Sequence, residues 1–150
     1  MRKTGIIATI ALAAAVAGSA AVIARSETDP GANLGAVSAA ARKAEIRDVN
    51  DATFRKAVLE SPTPVLVDFY ADWCGPCRAQ GPVLESLAGS YKGRVKFVKL
   101  NVDLAGKTAS KLGVESLPTL MLFDRGKIKA ATVGFHSSAD LKDLIDSNMD

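Results

Sequence analysis

The sequence predicts an α/β domain, a mixed central β-sheet flanked by helices on both faces, and three observations carry that expectation. Val65 to Tyr70 is an apolar, β-branched and aromatic run broken by a single acid, Asp68, which is the composition of a buried strand. Val95 to Val102 is a second such run. A helix-length segment separates the two, so they pair in parallel near the centre of the sheet. Thr119 to Phe123 and Lys127 to Val133 then flank Asp124-Arg125-Gly126, a glycine-containing turn that makes an antiparallel hairpin.

In chain order, Met1-Arg2-Lys3-Thr4 is a short basic start, and Gly5 to Ala24 is uncharged and almost wholly apolar. Residues 1–24 therefore read as a signal peptide or a membrane anchor. At 1.5 Å per residue an apolar helix of this length reaches about 30 Å, just enough to span a bilayer. Nine of these residues are alanine, which is weakly hydrophobic for an anchor. Gly18-Ser19-Ala20 and Val22-Ile23-Ala24 also supply the small residues of a cleavage site, and a buried helix is the third reading. In either membrane reading Arg2 and Lys3 hold the start in the cytoplasm, so the rest of the chain faces outward. Residues 25–43, rich in Ser, Asp, Pro, Gly, Asn and Ala, form a flexible linker with few large apolar residues to pack.

The folded part is expected over residues 44–150. Glu45 to Val49 gives a short edge strand, Asn50 or Asp51 a helix cap, and Ala52 to Leu59 a helix with Phe54, Val58 and Leu59 inward. Ser61-Pro62-Thr63-Pro64 ends it. A second helix runs from Cys74 to about Tyr91 with Pro82 inside, where the missing N–H favours a kink, and Val83, Leu84 and Leu87 form its buried face. Asp103 to Leu112 fits a short third helix. Ser137 or Ser138 caps a last one, Ala139 to Asn148, with Leu141, Leu144 and Ile145 on one face. There is no internal repeat.

Chemistry concentrates where the first central strand ends. Cys74 and Cys77 are the only cysteines, and Cys74 falls at a helix N-terminus, where unpaired N–H groups and the positive end of the dipole favour a thiolate. Side chains three apart on a helix share a face at about 5–6 Å, within the separation a disulfide tolerates, so the pair can close and reopen with little backbone movement. A bridge over so short a loop constrains little of the unfolded chain, which argues against a structural staple. Zinc is the other plain alternative. It wants four ligands, and besides the two cysteines the chain offers only a distant His136, expected in a surface loop. No metal and no cofactor are therefore implied. Asp68, in a strand between apolar neighbours, is expected to be buried with a raised pKa, able to exchange a proton near neutrality.

Trp73-Cys74-Gly75-Pro76-Cys77 resembles the active-site signature of the thioredoxins. The resemblance extends from about Ala44 to Asp150. Asp68 stands where the family has a buried acid, Lys99 where it has the lysine facing that acid, Leu117-Pro118-Thr119 where it has a cis-proline loop, and Gly134 where a glycine helps form the substrate groove. What the resemblance implies is the thioredoxin fold and thiol–disulfide exchange. Cys74, the exposed sulfur, attacks a target disulfide, and Cys77 releases it, leaving the redox-active Cys74–Cys77 disulfide. Asp68 takes the proton of Cys77 directly or through a water, and Lys99 tempers the acid. Leu117 pairs its backbone with an extended substrate beside Pro118. Trp73, Gly75, Pro76 and Gly134 form the apolar rim. The front of the chain departs from a cytosolic thioredoxin.

The formal charge is +3, and it falls to +1 without Arg2 and Lys3, the only charges in residues 1–24, so no basic field for nucleic acid is left. The expectation is a monomeric, periplasmic reductase of protein disulfides, soluble after cleavage or anchored through residues 5–24, with a membrane electron donor as partner. A periplasmic thiol oxidase or isomerase is the rival within the class. A redox-independent binding module is the rival outside it.

Overall fold

The computed structural model describes residues 46–149. The expected export segment, the linker, and the first two residues and the last residue of the expected domain lie outside the described residues. The described elements are β1 (Arg47–Val49), a π-helical turn (Arg55–Leu59), β2 (Val65–Tyr70), α1 (Gly75–Ser90), β3 (Lys96–Asn101), α2 (Gly106–Lys111), β4 (Thr119–Asp124), β5 (Lys127–Val133) and α3 (Ser138–Asp146). Five strands form one mixed sheet in the order β1-β3-β2-β4-β5. The contacts of β3 with β1 and β2 are parallel, and those of β4 with β2 and β5 antiparallel. Crossover helices force the parallel pairs, and the hairpin forces the antiparallel end, as the sequence predicts.

Alternation along β2 places apolar residues on both sheet faces. Val65, Val67 and Phe69 pack with Val98, Leu100, Met121 and Phe123 beneath the π-turn and α2. Leu66 packs with Phe97, Leu120 and Leu122 beneath α1 and α3, which contribute Leu84, Leu87, Ala88, Leu141 and Ile145. Each such fully buried aliphatic side chain is worth about 1.5–3 kcal/mol of hydrophobic transfer.

The first helix departs from expectation. Asn50 Oδ1 accepts from the N–H groups of Ala52 and Thr53, but these lie in the turns ahead of the helix, whose own N-cap, Phe54, has no side-chain cap. Asp51 instead accepts from Thr108 N–H and Oγ1 and so ties this segment to α2. The last turn widens until Glu60 N–H bonds back to Arg55 C=O. That rotation leaves Leu59 38% exposed, not inward, while Phe54 and Val58 are buried as expected. The third helix begins only at Gly106, because Leu104 and Ala105 N–H are spent on a turn against Asn101 C=O, which leaves Leu104 78% exposed. Ser137 is the cap of α3, closing a capping box with Asp140. Between β4 and β5, Arg125 and Gly126 both take positive φ, the two-residue turn that matches strand twist. A Cβ on Gly126 would stand 2.8 Å from Leu59 C=O, so only glycine fits there.

Candidate active site

β2 carries the chain up through the sheet, and the turn Ala71-Asp72-Trp73 delivers Cys74 as the N-cap of α1. Proline in the first turn of α1 costs nothing, since its missing N–H would have no partner in that turn. Cys74 and Cys77 are joined in a disulfide with Cα atoms 5.3 Å apart. Cys74 Sγ also accepts the Cys77 N–H at 3.2 Å, so an unpaired amide of the helix start points at this sulfur. One expectation is corrected here. In the disulfide form Cys74 is 4% exposed and Cys77 7%, so exposure does not single out Cys74. What distinguishes it is its place at the cap, with the amide donor directed at it.

Around the pair lie Ala71, Tyr70, Val102 and Leu117. The Leu117–Pro118 bond is cis. The backbone of Leu117 enters no main-chain hydrogen bond among the described residues, whereas Pro118 C=O accepts from Gly134 N–H at 2.8 Å. Gly134 has φ +92°, a conformation that glycine adopts freely. Trp73 is 70% exposed, which disposes of a packing role for its ring, and its Nε1 donates to Asp103 Oδ2 at 3.0 Å. Gly75 and Pro76 are exposed beside it.

Asp68 is 6% exposed, and its Oδ1 is buried without a hydrogen-bond partner. Burial pushes its carboxyl up to about 7, with the Lys99 charge acting in the opposite direction. Asp68, Lys99 and Cys77 line one pocket of about 240 Å³, together with Tyr70, Ala71, Asp72, Arg78 and Gly81. A space of that size holds water, which needs only about 30 Å³ in the liquid. Lys99 is the register partner of Asp68, but its Nζ makes its ion pair with Asp48 Oδ2 at 3.6 Å.

The structure also assigns positions that the sequence reading passed over. Gln80 is fully buried on α1, donating from Nε2 to His136 C=O at 3.1 Å and accepting His136 N–H on Oε1 at 2.8 Å. It thereby fixes the loop that begins at Gly134. His136 is half-buried, not a free surface residue, and its Nε2 lies 2.6 Å from Thr132 Oγ1. A polar residue three positions after Cys77, on the inward side of the helix, was the available signal for Gln80.

A helix-capping sulfur bonded to a second one in the first turn, against a proline loop in which Leu117 makes no main-chain hydrogen bond, defines a site for dithiol–disulfide exchange. The comparisons agree. The family model described as Thioredoxin matches residues 45–147. An M-type chloroplastic thioredoxin of Chlamydomonas reinhardtii is 46% identical over 123 residues, covering 76% of this chain and 88% of that protein. The thioredoxin of Pseudomonas aeruginosa is 45% identical over 104 residues, 69% of this chain and 96% of that protein. That of Allochromatium vinosum is 46% identical over 100 residues, 67% and 94%. The chain belongs to the thioredoxin family, and it is a thiol–disulfide oxidoreductase acting on disulfide-containing proteins.

Proposed function

We propose that this thioredoxin works outside the cytoplasm, as a monomeric reductant of protein disulfides in a bacterial periplasm or at the outer face of the inner membrane. The observation that carries the direction is the Gly75-Pro76 pair between the cysteines. No imidazole stands there to stabilise the Cys74 thiolate, so the reduced form is the less favoured one and gives up its electrons. The apolar segment Gly5 to Ala24 behind Arg2 and Lys3 supports export.

In the first step the Cys74 thiolate bonds to one sulfur of the target disulfide and expels the other as a thiolate, which takes a proton. Cys77, deprotonated by Asp68 directly or through a water in the pocket they share, then attacks Cys74 Sγ. The Cys74–Cys77 bond forms and the target leaves as a dithiol, so two electrons pass from this chain to the target. Lys99 tempers the acid by its charge. Leu117 offers its N–H and C=O to an extended target strand beside Pro118, and Trp73, Gly75, Pro76 and Gly134 form the rim that receives it. Turnover in an oxidising compartment requires a dithiol donor that draws electrons from across the membrane.

Cys77→Ser in the full-length protein tests this directly, because the mixed disulfide on Cys74 cannot resolve. Recovery of exported proteins on Cys74, and of a membrane protein with a cysteine pair, is expected. Recovery of cytosolic proteins alone would overturn export. Equilibration with glutathione tests direction: the disulfide is expected to persist in mildly reducing mixtures, and a chain that is readily reduced there is an oxidase.

A further inference from the structure

Lys99 has two carboxylates within its reach through the parallel register, Asp68 on β2 and Asp48 on β1, since both strands align these residues with it. Its ammonium is committed to the outer one. Nζ lies 3.6 Å from Asp48 Oδ2 and 5.4 Å from the centre of the Tyr70 ring, inside the range of cation–π attraction. The Tyr70 hydroxyl meanwhile donates to Asp48 Oδ1 at 3.1 Å. One carboxylate therefore grips both the lysine and the tyrosine. Asp48 and Tyr70 line a second, outer pocket of about 300 Å³, and Tyr70 also lines the inner pocket that holds Asp68 and Cys77, so the tyrosine forms part of the wall between them. The inner acid, by contrast, keeps Oδ1 without a partner.

We propose that Asp48 is a positioning residue for the exchange reaction: it holds the Lys99 ammonium in an ion pair of its own and so keeps it from closing one with Asp68 in the pocket the two share. An Asp68 locked to a lysine would be a permanent carboxylate and a weak proton acceptor; held apart from it, the acid can still take and return a proton. The titratable and charged groups that share the pocket of Asp68 are Tyr70 and Asp72 from β2 and its following turn, Lys99 from β3, and Cys77 and Arg78 from α1; Asp48 from β1 lies beyond Lys99, and β4 presents the apolar Leu120 opposite. Of these, Lys99 is the cation aligned with Asp68 in the strand register, and Asp48 is the acid that holds it.

This inference rests on Asp68 as the proton acceptor, and its test reads the Asp68 proton itself, so the two fail separately. In carboxyl-labelled full-length protein, nuclear magnetic resonance follows the titration of Asp68. Asp48→Asn is expected to move its midpoint to lower pH by about half a pH unit, because the released lysine approaches the acid. Removing a nearby negative charge would lower the midpoint without help from the lysine, so the same substitution is repeated in a Lys99→Met background. There the displacement is expected to shrink to less than half. No displacement in the first case, or an equal one in both, overturns the proposal. If Asp68→Asn leaves turnover intact while these displacements are observed, the proton-acceptor role fails and the positioning of Lys99 stands.

Discussion

Asp68 sets the energetic tension of this site. Its carboxyl is pushed by burial to about 7, against an ordinary value of 3.8. Between those values the folded chain holds a proton that the unfolded chain releases, so stability falls as pH rises through the window and levels off above it. Asp68→Asn, a neutral side chain of the same shape, removes that dependence. The variant is expected to be more stable than the parent by about 2–4 kcal/mol near pH 8, with the gain vanishing toward pH 4. Urea unfolding as a function of pH measures it, and an equal gain at every pH would show that packing, not charge, is responsible. The burial of this acid was legible in the sequence, because an aspartate inside Val65 to Tyr70 has apolar neighbours on either side. The pairing of Lys99 with Asp48 was not, since it depends on β1 lying beside β3, a register that no local pattern specifies.

At the scale of elements, α1 does more than present the cysteines. Gln80, in its second turn, brackets both backbone groups of His136, and that loop supplies Gly134 to Pro118. Gln80→Ala leaves an N–H and a C=O without partners in a half-buried place, at a cost of about 1–3 kcal/mol. Faster amide hydrogen exchange at His136 is the expected signature, and unchanged exchange would mean that the loop is held by other contacts. The hairpin turn makes a similar demand. Gly126→Ala must take a positive φ and move the Leu59 carbonyl, and thermal unfolding is expected to reveal a loss of about 1–3 kcal/mol. Strands and their partners were readable because the apolar runs and Asp124-Arg125-Gly126 carry their own signals. The π-turn and the late start of α2 were not. The first is a five-residue backbone bond from Glu60 to Arg55 and the second a turn of Leu104 and Ala105 against Asn101, and neither leaves a mark in the pattern of apolar residues.

Across the described domain, the sheet order sets β2 at the centre between β3 and β4, covers both faces with apolar layers, and leaves the redox pair at the end of β2 where α1 begins. Chemistry at the carboxyl end of a central strand follows from that wiring, because the chain must leave the sheet there and enter a helix by its positive end. The reach of the site toward partners is likewise a global property: Trp73 is exposed and the Leu117 backbone is free of main-chain hydrogen bonds on the same side as the disulfide. The most direct measurement is the pH dependence of alkylation of the reduced full-length protein, read separately at each cysteine by mass spectrometry. Cys74 is expected to react first, with a midpoint below the value of about 8.5 of an ordinary thiol. Preferential modification of Cys77, or a Cys74 midpoint at or above that value, would contradict the assignment of Cys74 as the attacking sulfur.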